Sequence, residues 1–216
     1  MNLIWIAAMY NKIFGKQYQR KSDASGKEYD QFKILEERDK LGDAQTFLIG
    51  SSIIARWCVC QEVETSIWNV RLGIEGFDTF DLVANTKYLE RLRSTDTLIC
   101  YCGSNDFFGG RDTSTSIQNL RDVFGACQCK IIYLNVIKSP LMIKYFAKNE
   151  MIDEFNRNVE TLYNAHQQSI STISIDDELK AKDYVWDGVH LKKSGYDKLK
   201  KIISTKIQSM TSTSPT

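Results

Sequence analysis

Five short apolar runs, at 46–49, 67–70, 97–102, 131–137 and 170–175, recur along the chain, separated by longer stretches whose apolar residues fall at helical spacing. Short runs of this kind read as strands, and their alternation with helices predicts a parallel sheet. A fold so built is α/β, a three-layer αβα sandwich with helices on both faces of the sheet. Its ligands bind beyond the carboxyl ends of the strands. Ahead of the first run, residues 28–40 carry Phe32, Ile34 and Leu35 among charges and predict a helix. After the last run, Leu191, Leu199, Ile202, Ile203 and Ile207 fall at helical spacing around the lysine-rich stretch 192–206, which predicts a closing helix with a solvated basic face.

The ends of the chain differ from its middle. Leu3, Ile4, Ile6, Ala7, Tyr10, Ile13 and Phe14 fall where they would make the greasy side of a short N-terminal helix, with Lys12 and Lys16 elsewhere. This segment lacks the basic start and cleavage site of a secretory signal. As a membrane-surface anchor it would bind lipid weakly, so packing on the core, on a partner or on a second copy of the chain is expected. A polar connection with Ser22, Asp23, Ser25 and Gly26 follows, and Thr211 to Thr216 has no apolar anchor. The expected organisation is an N-terminal segment and linker at 1–27, one domain at 28–208 and a disordered tail at 209–216.

Composition narrows the function classes. At 216 residues, 43% hydrophobic and 25% charged, the chain is long enough for one α/β domain and short for two. Lysine and arginine total 28 against 27 acids, a net charge of +1 that gives no electrostatic reason to expect nucleic acid as a partner. No apolar stretch reaches the ~18 residues that a membrane-spanning helix requires. Six cysteines form three Cys-x-Cys pairs, at Cys58 and Cys60, Cys100 and Cys102, and Cys127 and Cys129. Structural zinc sites more often place two to four residues between ligands, and no histidine lies nearby, so no metal is expected. The cysteines read instead as small buried hydrophobes in a reducing compartment, with a cytoplasmic location.

The chemistry concentrates in four places. Asp187 precedes His190 by three residues, so on a tight loop its carboxylate can turn back onto the imidazole Nδ1 and leave Nε2 to accept a proton from a hydroxyl. The apolar run at 46–49 ends in Gly50-Ser51-Ser52 before a helical pattern, which places a serine at a strand-to-helix turn with two adjacent hydroxyls to choose from. The run at 97–102 leads into Gly103-Ser104-Asn105-Asp106, where the Asn105 amide can face a developing oxyanion. A turn containing Glu75 and Gly76 offers a backbone N–H that no Cβ obstructs.

In their order and spacing these four blocks resemble the SGNH, or GDSL-type, hydrolases across roughly residues 30 to 208. Asp-Gly-Val-His-Leu at 187–191 followed by Ser-Gly-Tyr at 194–196 is the most specific part. The resemblance implies a flavodoxin-like sheet of five parallel strands in the order 2-1-3-4-5. It also implies Ser52 as nucleophile, with Gly76, Asn105 and the Ser52 N–H as oxyanion donors and Asp187 and His190 completing a triad. Neither metal nor organic cofactor is implied. The expected activity is hydrolysis of a carboxylic ester of acetyl or short acyl type, with a small-molecule, carbohydrate or lipid ester as substrate. The alternatives are an O-acyltransferase of the same fold or an inactive binding or scaffold protein. Two positions depart from the family pattern. Ser51 stands where the family has aspartate, and Glu75 stands where a subgroup with Gly-Ser-Ser has a small residue and introduces a charge able to repel acidic substrates. Trp57, Phe77, Phe107 and Phe108 are candidates for an acyl pocket, although core packing is the commoner fate of such aromatics.

Overall fold

A computed structural model describes residues 26–57, 68–168 and 170–212. The expected N-terminal helix, nearly all of the linker, Cys58, Cys60 and the last residues of the tail lie outside them. Five parallel strands, β1 (Thr46–Gly50), β2 (Val70–Gly73), β3 (Thr97–Tyr101), β4 (Lys130–Leu134) and β5 (Ser171–Ile173), form one sheet in the order β2-β1-β3-β4-β5. Fold class and strand order agree with the sequence-based expectation.

Strand alternation divides the core into two layers. Phe47, Ile49, Leu98, Cys100, Ile131 and Tyr133 face one side, where Phe32, Leu35, Leu82, Leu120, Phe124 and Phe155 cover them. Leu48, Ile99, Tyr101, Ile132 and Leu134 face the other, beneath Ile54, Trp57, Tyr196, Leu199 and Ile203. Both faces of each central strand are apolar because both are covered, which is why these segments read as continuous hydrophobic runs.

The helices are α1 (Ser52–Trp57), α2 (Thr79–Ala84), α3 (Thr86–Leu89), α4 (Ser104–Phe108), α5 (Thr113–Ala126), α6 (Pro140–Tyr145), α7 (Asn149–Glu160) and α8 (Lys193–Ser212). In α5, Asp112 caps the start by accepting the Thr115 N–H, and Ile117, Leu120, Val123 and Phe124 supply the buried face. The helix expected over 28–40 is a kinked 3-10 helix, Asp30–Leu41, with Phe32, Leu35 and Arg38 inward at the three-residue repeat of that geometry and Ile34 outward.

Three strands depart from their expected bounds, and of the run expected at 170–175 only Ser171–Ile173 joins the sheet. The strand expected at 67–70 lies at Val70–Gly73, where Val70 and Leu72 point inward. Arg71 between them donates to the carbonyls of Ile54 and Ala55 on α1. The strand expected at 131–137 leaves the sheet after Leu134, because Asn156 of α7 takes both backbone groups of Val136. That departure carries residues 137–139 across the end of the sheet.

Candidate active site

The first wall of the site is the turn from β1 into α1. A Cβ on Gly50 would stand 2.4 Å from the Tyr101 carbonyl oxygen, so only glycine lets β1 end this close to β3. Ser51 donates its N–H to that same carbonyl at 3.1 Å and is fully buried. Ser52 opens α1 with its side chain at the carboxyl edge of the sheet. The two hydroxyls therefore separate: Ser52 lines the cavity, and Ser51 does not.

The opposite wall is the loop between a short 3-10 turn (Ala181–Asp183) and α8. A bridge from Tyr184 to Leu191 pins its base, and the Val185 N–H donates to the His190 carbonyl at 2.8 Å. Asp187 accepts the N–H groups of Val189 and His190 on one oxygen, at 2.9 and 3.0 Å, and the His190 Nδ1–H on the other at 2.6 Å. His190 Nε2 accepts from the Ser52 hydroxyl at 2.9 Å, joining residues 138 positions apart. Burial acts to raise the pKa of Asp187, but the ring of His190 and the two N–H donors outweigh it and hold the carboxyl below the usual range. An ionised Asp187 keeps the Nδ1–H tautomer of a histidine that is only 4% exposed, so Nε2 remains the acceptor.

Between these walls stand Gly76 and Asn105. Gly76 lies at a φ of +74°, which favours glycine, in the turn after β2. Asn105, in α4 beyond β3, is 4% exposed and donates its Nδ2 to the Phe77 carbonyl at 2.8 Å, so the two turns are fastened to each other beside Ser52. Ser52, Gly76, Asn105 and His190 all line one cavity, with Asp187 directly behind the imidazole.

Of the four aromatic pocket candidates, only Phe108 lines this cavity. Trp57 stacks on Tyr196, Phe77 on Phe32, and Phe107 meets Phe155 edge-on, all within the core. Glu75 lines the cavity too, but Arg56 holds it at 2.8 Å and also stands 3.9 Å from Asp187, so its charge is countered. Sequence reasoning missed Arg56, one turn beyond Ser52. It also missed Tyr101, Ser104, Ile137, Ser139, Met142 and Val189 as cavity residues. Tyr101 and Ser104 directly adjoin segments already singled out, and that adjacency was the available signal. His166 is exposed and distant in role, with its backbone in a turn closed by Asn164.

Cys100, Cys102, Cys127 and Cys129 are buried free thiols. Burial pushes the Cys100 thiol up to about 12. Among the described residues no group of three or more His, Cys, Asp or Glu side chains is arranged to hold a metal ion, and no helix is long and apolar enough to cross a membrane.

The class this defines is an α/β sandwich with a hydrogen-bonded Ser–His–Asp chain at the carboxyl edge of its parallel sheet. No family model matches the chain. Comparison with curated proteins likewise finds no match. Solved structures do resemble it. A GDSL-like lipase from Bacteroides thetaiotaomicron aligns with a TM-score of 0.64 at 16% identity, over 83% of this chain and 98% of that one. A carbohydrate esterase of family 3 from Talaromyces cellulolyticus aligns at 0.59 and 16% identity, over 80% and 100%. A member of the lipolytic G-D-S-L family from Veillonella parvula aligns at 0.58 and 17% identity, over 79% and 100%. The chain has the fold of the SGNH, or GDSL-type, hydrolases.

Proposed function

We propose that this protein is a serine ester hydrolase that passes a short acyl group through Ser52. The observation that carries this reading is the continuous chain from the Ser52 hydroxyl to His190 to Asp187, at 2.9 and 2.6 Å, opening onto a cavity. His190 Nε2 takes the Ser52 proton as Oγ attacks the ester carbonyl. The negative oxygen that forms would lie toward the N–H groups of Ser52 and Gly76 and the Asn105 amide. The tetrahedral intermediate collapses by breaking the C–O bond to the alcohol, which leaves with the proton held on His190. Water then gives its proton to His190, attacks the acyl-serine and releases the acid, and the proton returns to Ser52. The helix start at Ser52 favours the negative charge that builds there. Ile53, Phe108, Ile137, Met142 and Val189 give the cavity beside Ser52 an apolar wall suited to the carbon part of an acyl group.

Labelling with a serine-directed fluorophosphonate, followed by peptide mapping, tests the assignment. Adduct on Ser52 and none on Ser51 is expected. Ser52→Ala should lose at least about a thousandfold in the hydrolysis of nitrophenyl acetate. Folded protein that takes no label and cleaves no ester of any chain length would instead be a binding protein of this fold. Label without hydrolysis, relieved by adding an alcohol or sugar acceptor, would identify an acyltransferase.

A further inference from the structure

We propose that Asp106 is a positioning residue of the oxyanion site: its carboxylate grips Thr79 with both oxygens and so sets the turn bearing Gly76 against the Asn105 amide. The inference rests on the ester-hydrolase reading of the same site.

The turn that carries Gly76 spans residues 74–77. It starts where the Ile74 N–H donates to the Gly50 carbonyl at 2.9 Å, beside Ser51 and Ser52, and closes with the Phe77 N–H on the Ile74 carbonyl at 3.3 Å. At its exit, three successive residues are held by one segment, 105–111. The Phe77 carbonyl accepts the Asn105 Nδ2–H at 2.8 Å, and the Asp78 carboxylate accepts from the Arg111 guanidinium at 3.1 Å. Thr79 gives two bonds to Asp106, its N–H to one carboxylate oxygen at 3.1 Å and its hydroxyl to the other at 2.5 Å. Asn105 and Asp106 are neighbours in the first turn of α4, so one helix start fastens the Gly76 turn at two points. Neither Asp106 nor Thr79 lines the cavity, and whatever they contribute to the chemistry passes through the groups they hold.

The donors around Asp106 call for a carboxylate. A backbone N–H such as that of Thr79 can only donate. The Thr79 hydroxyl oxygen accepts from Asn119 Nδ2 at 3.1 Å, which turns its own proton toward Asp106. The Ser116 hydroxyl of α5 reaches that same Asp106 oxygen at 2.8 Å. An amide in this place would set an N–H against either the backbone N–H or the hydroxyl of Thr79. The fold keeps this acid at a cost. Asp106 is 2% exposed, all three of its donors are neutral, and burial together with the nearby Asp78 pushes its pKa up to about 6, so at neutral pH the ionised group lowers stability. A costly buried charge at the point where both oxyanion arms are fastened fits a role in placing them, because local rules of stability are broken most often at functional sites.

Kinetics and amide exchange on the full chain test this. Asp106→Asn keeps the shape of the side chain and removes one acceptor. Its kcat for nitrophenyl acetate, per folded molecule, should fall by about tenfold to a hundredfold with KM within about twofold, the order of loss that a donor displaced by about 1 Å produces. A loss that disappears once rates are scaled to the folded fraction overturns the proposal. Thr79→Val deletes the hydroxyl and should lose about tenfold, whereas Thr79→Ser keeps both donors and should restore the rate; equal rates in these two variants also overturn it. Acting through the Asn105 arm, Asp106→Asn should cost less in an Asn105→Ala background than in wild type, and losses that multiply in full would defeat the inference. Backbone amide exchange, followed by NMR, needs no turnover. Residues 76–79 should exchange at least about tenfold faster in Asp106→Asn, the factor one net hydrogen bond is worth, and protection equal to wild type overturns the proposal. Faster exchange in a protein whose wild type cleaves no ester upholds the grip of Asp106 on the turn, and only the hydrolase reading fails.

Discussion

In the proposed reaction Asn105 would serve two ends through one amide. Its Nδ2 already donates to the Phe77 carbonyl, so the amide is fixed in place before any substrate arrives, and preorganised donors of this kind are worth most where water is excluded. Asn105→Ala should reduce turnover by about a hundredfold or more with KM little changed, read from steady-state kinetics; an unaltered kcat would remove the amide from the oxyanion site. Arg56 acts on charge instead of geometry. With Glu75 paired to it, the rim is nearly neutral, so the repulsion of acidic substrates expected from Glu75 alone is cancelled. Arg56→Gln restores that repulsion. The KM for an ester bearing a carboxylate should rise by about threefold to tenfold relative to a neutral ester, and the difference should shrink in high salt because both side chains are partly exposed. At this scale the sequence was readable where partners lie close along the chain, as Asp187 and His190 do. It was silent on the pairing of Arg56 with Glu75, which depends on segments that meet only after folding.

The elements show why the most specific motif has the form it has. Ser194-Gly195-Tyr196 begins α8, and none of its side chains lines the cavity. Tyr196 donates its hydroxyl to the Ile53 carbonyl at 2.9 Å and stacks on Trp57, so the helix that follows His190 is locked onto the helix that begins with Ser52. Ser194 and Lys198 both reach the buried Asp183, at 2.6 Å each, and hold the other end of the His190 loop. The lysine-rich run is thus mostly a solvated face, as its periodicity predicts, with Lys198 turned to this structural use. Tyr196→Phe should cost about 1 kcal/mol and lower Tm by a few degrees, since one buried hydrogen bond is lost and the ring stack kept. Thermal unfolding of the variant beside wild type measures it, and no change in Tm would mean that the stack alone locks the helices. Strands were legible wherever both faces are covered, as in β1 and β3. The edge strand β2 was misplaced because Arg71 interrupts its apolar pattern while serving the end of α1, and β4 was drawn too long because residues 135–137 are apolar enough for a strand yet are bonded by Asn156.

Over the whole molecule, two buried carboxylates and one half-buried one tie the layers together, and each is held below the ordinary acid range against the opposing effect of burial. Arg38 clasps Asp96 through two bonds, at 2.7 and 2.5 Å, joining the N-terminal 3-10 helix to the start of β3, where the N–H groups of Gln45 and Arg93 also donate to it. Lys198 and Ser194 lower Asp183, and His190 lowers Asp187. A carboxyl whose folded pKa lies below its unfolded value, about 3.9 for Asp, adds stability that is fully present above that value and is lost as the pH falls through the folded pKa. Asp106 has the opposite sign. Burial first, and then the nearby Asp78, push it up to about 6, so between about pH 4 and 6 its ionisation removes stability as the pH rises. The summed profile therefore mixes both signs, and a single curve cannot assign them. A difference between two proteins can, because Asp106, Asp183 and Asp187 are common to both and cancel. Arg38→Met leaves Asp96 buried without its cation and should cost about 3–5 kcal/mol at pH 7. As the pH falls from 5 to 3, Asp96 protonates in the variant before it does in wild type, so the gap in urea unfolding free energy should close by up to about 1.4 kcal/mol per pH unit. A gap that stays constant over that range would show that Arg38 stabilises the fold through its packing on Phe47 and not through the charge of Asp96.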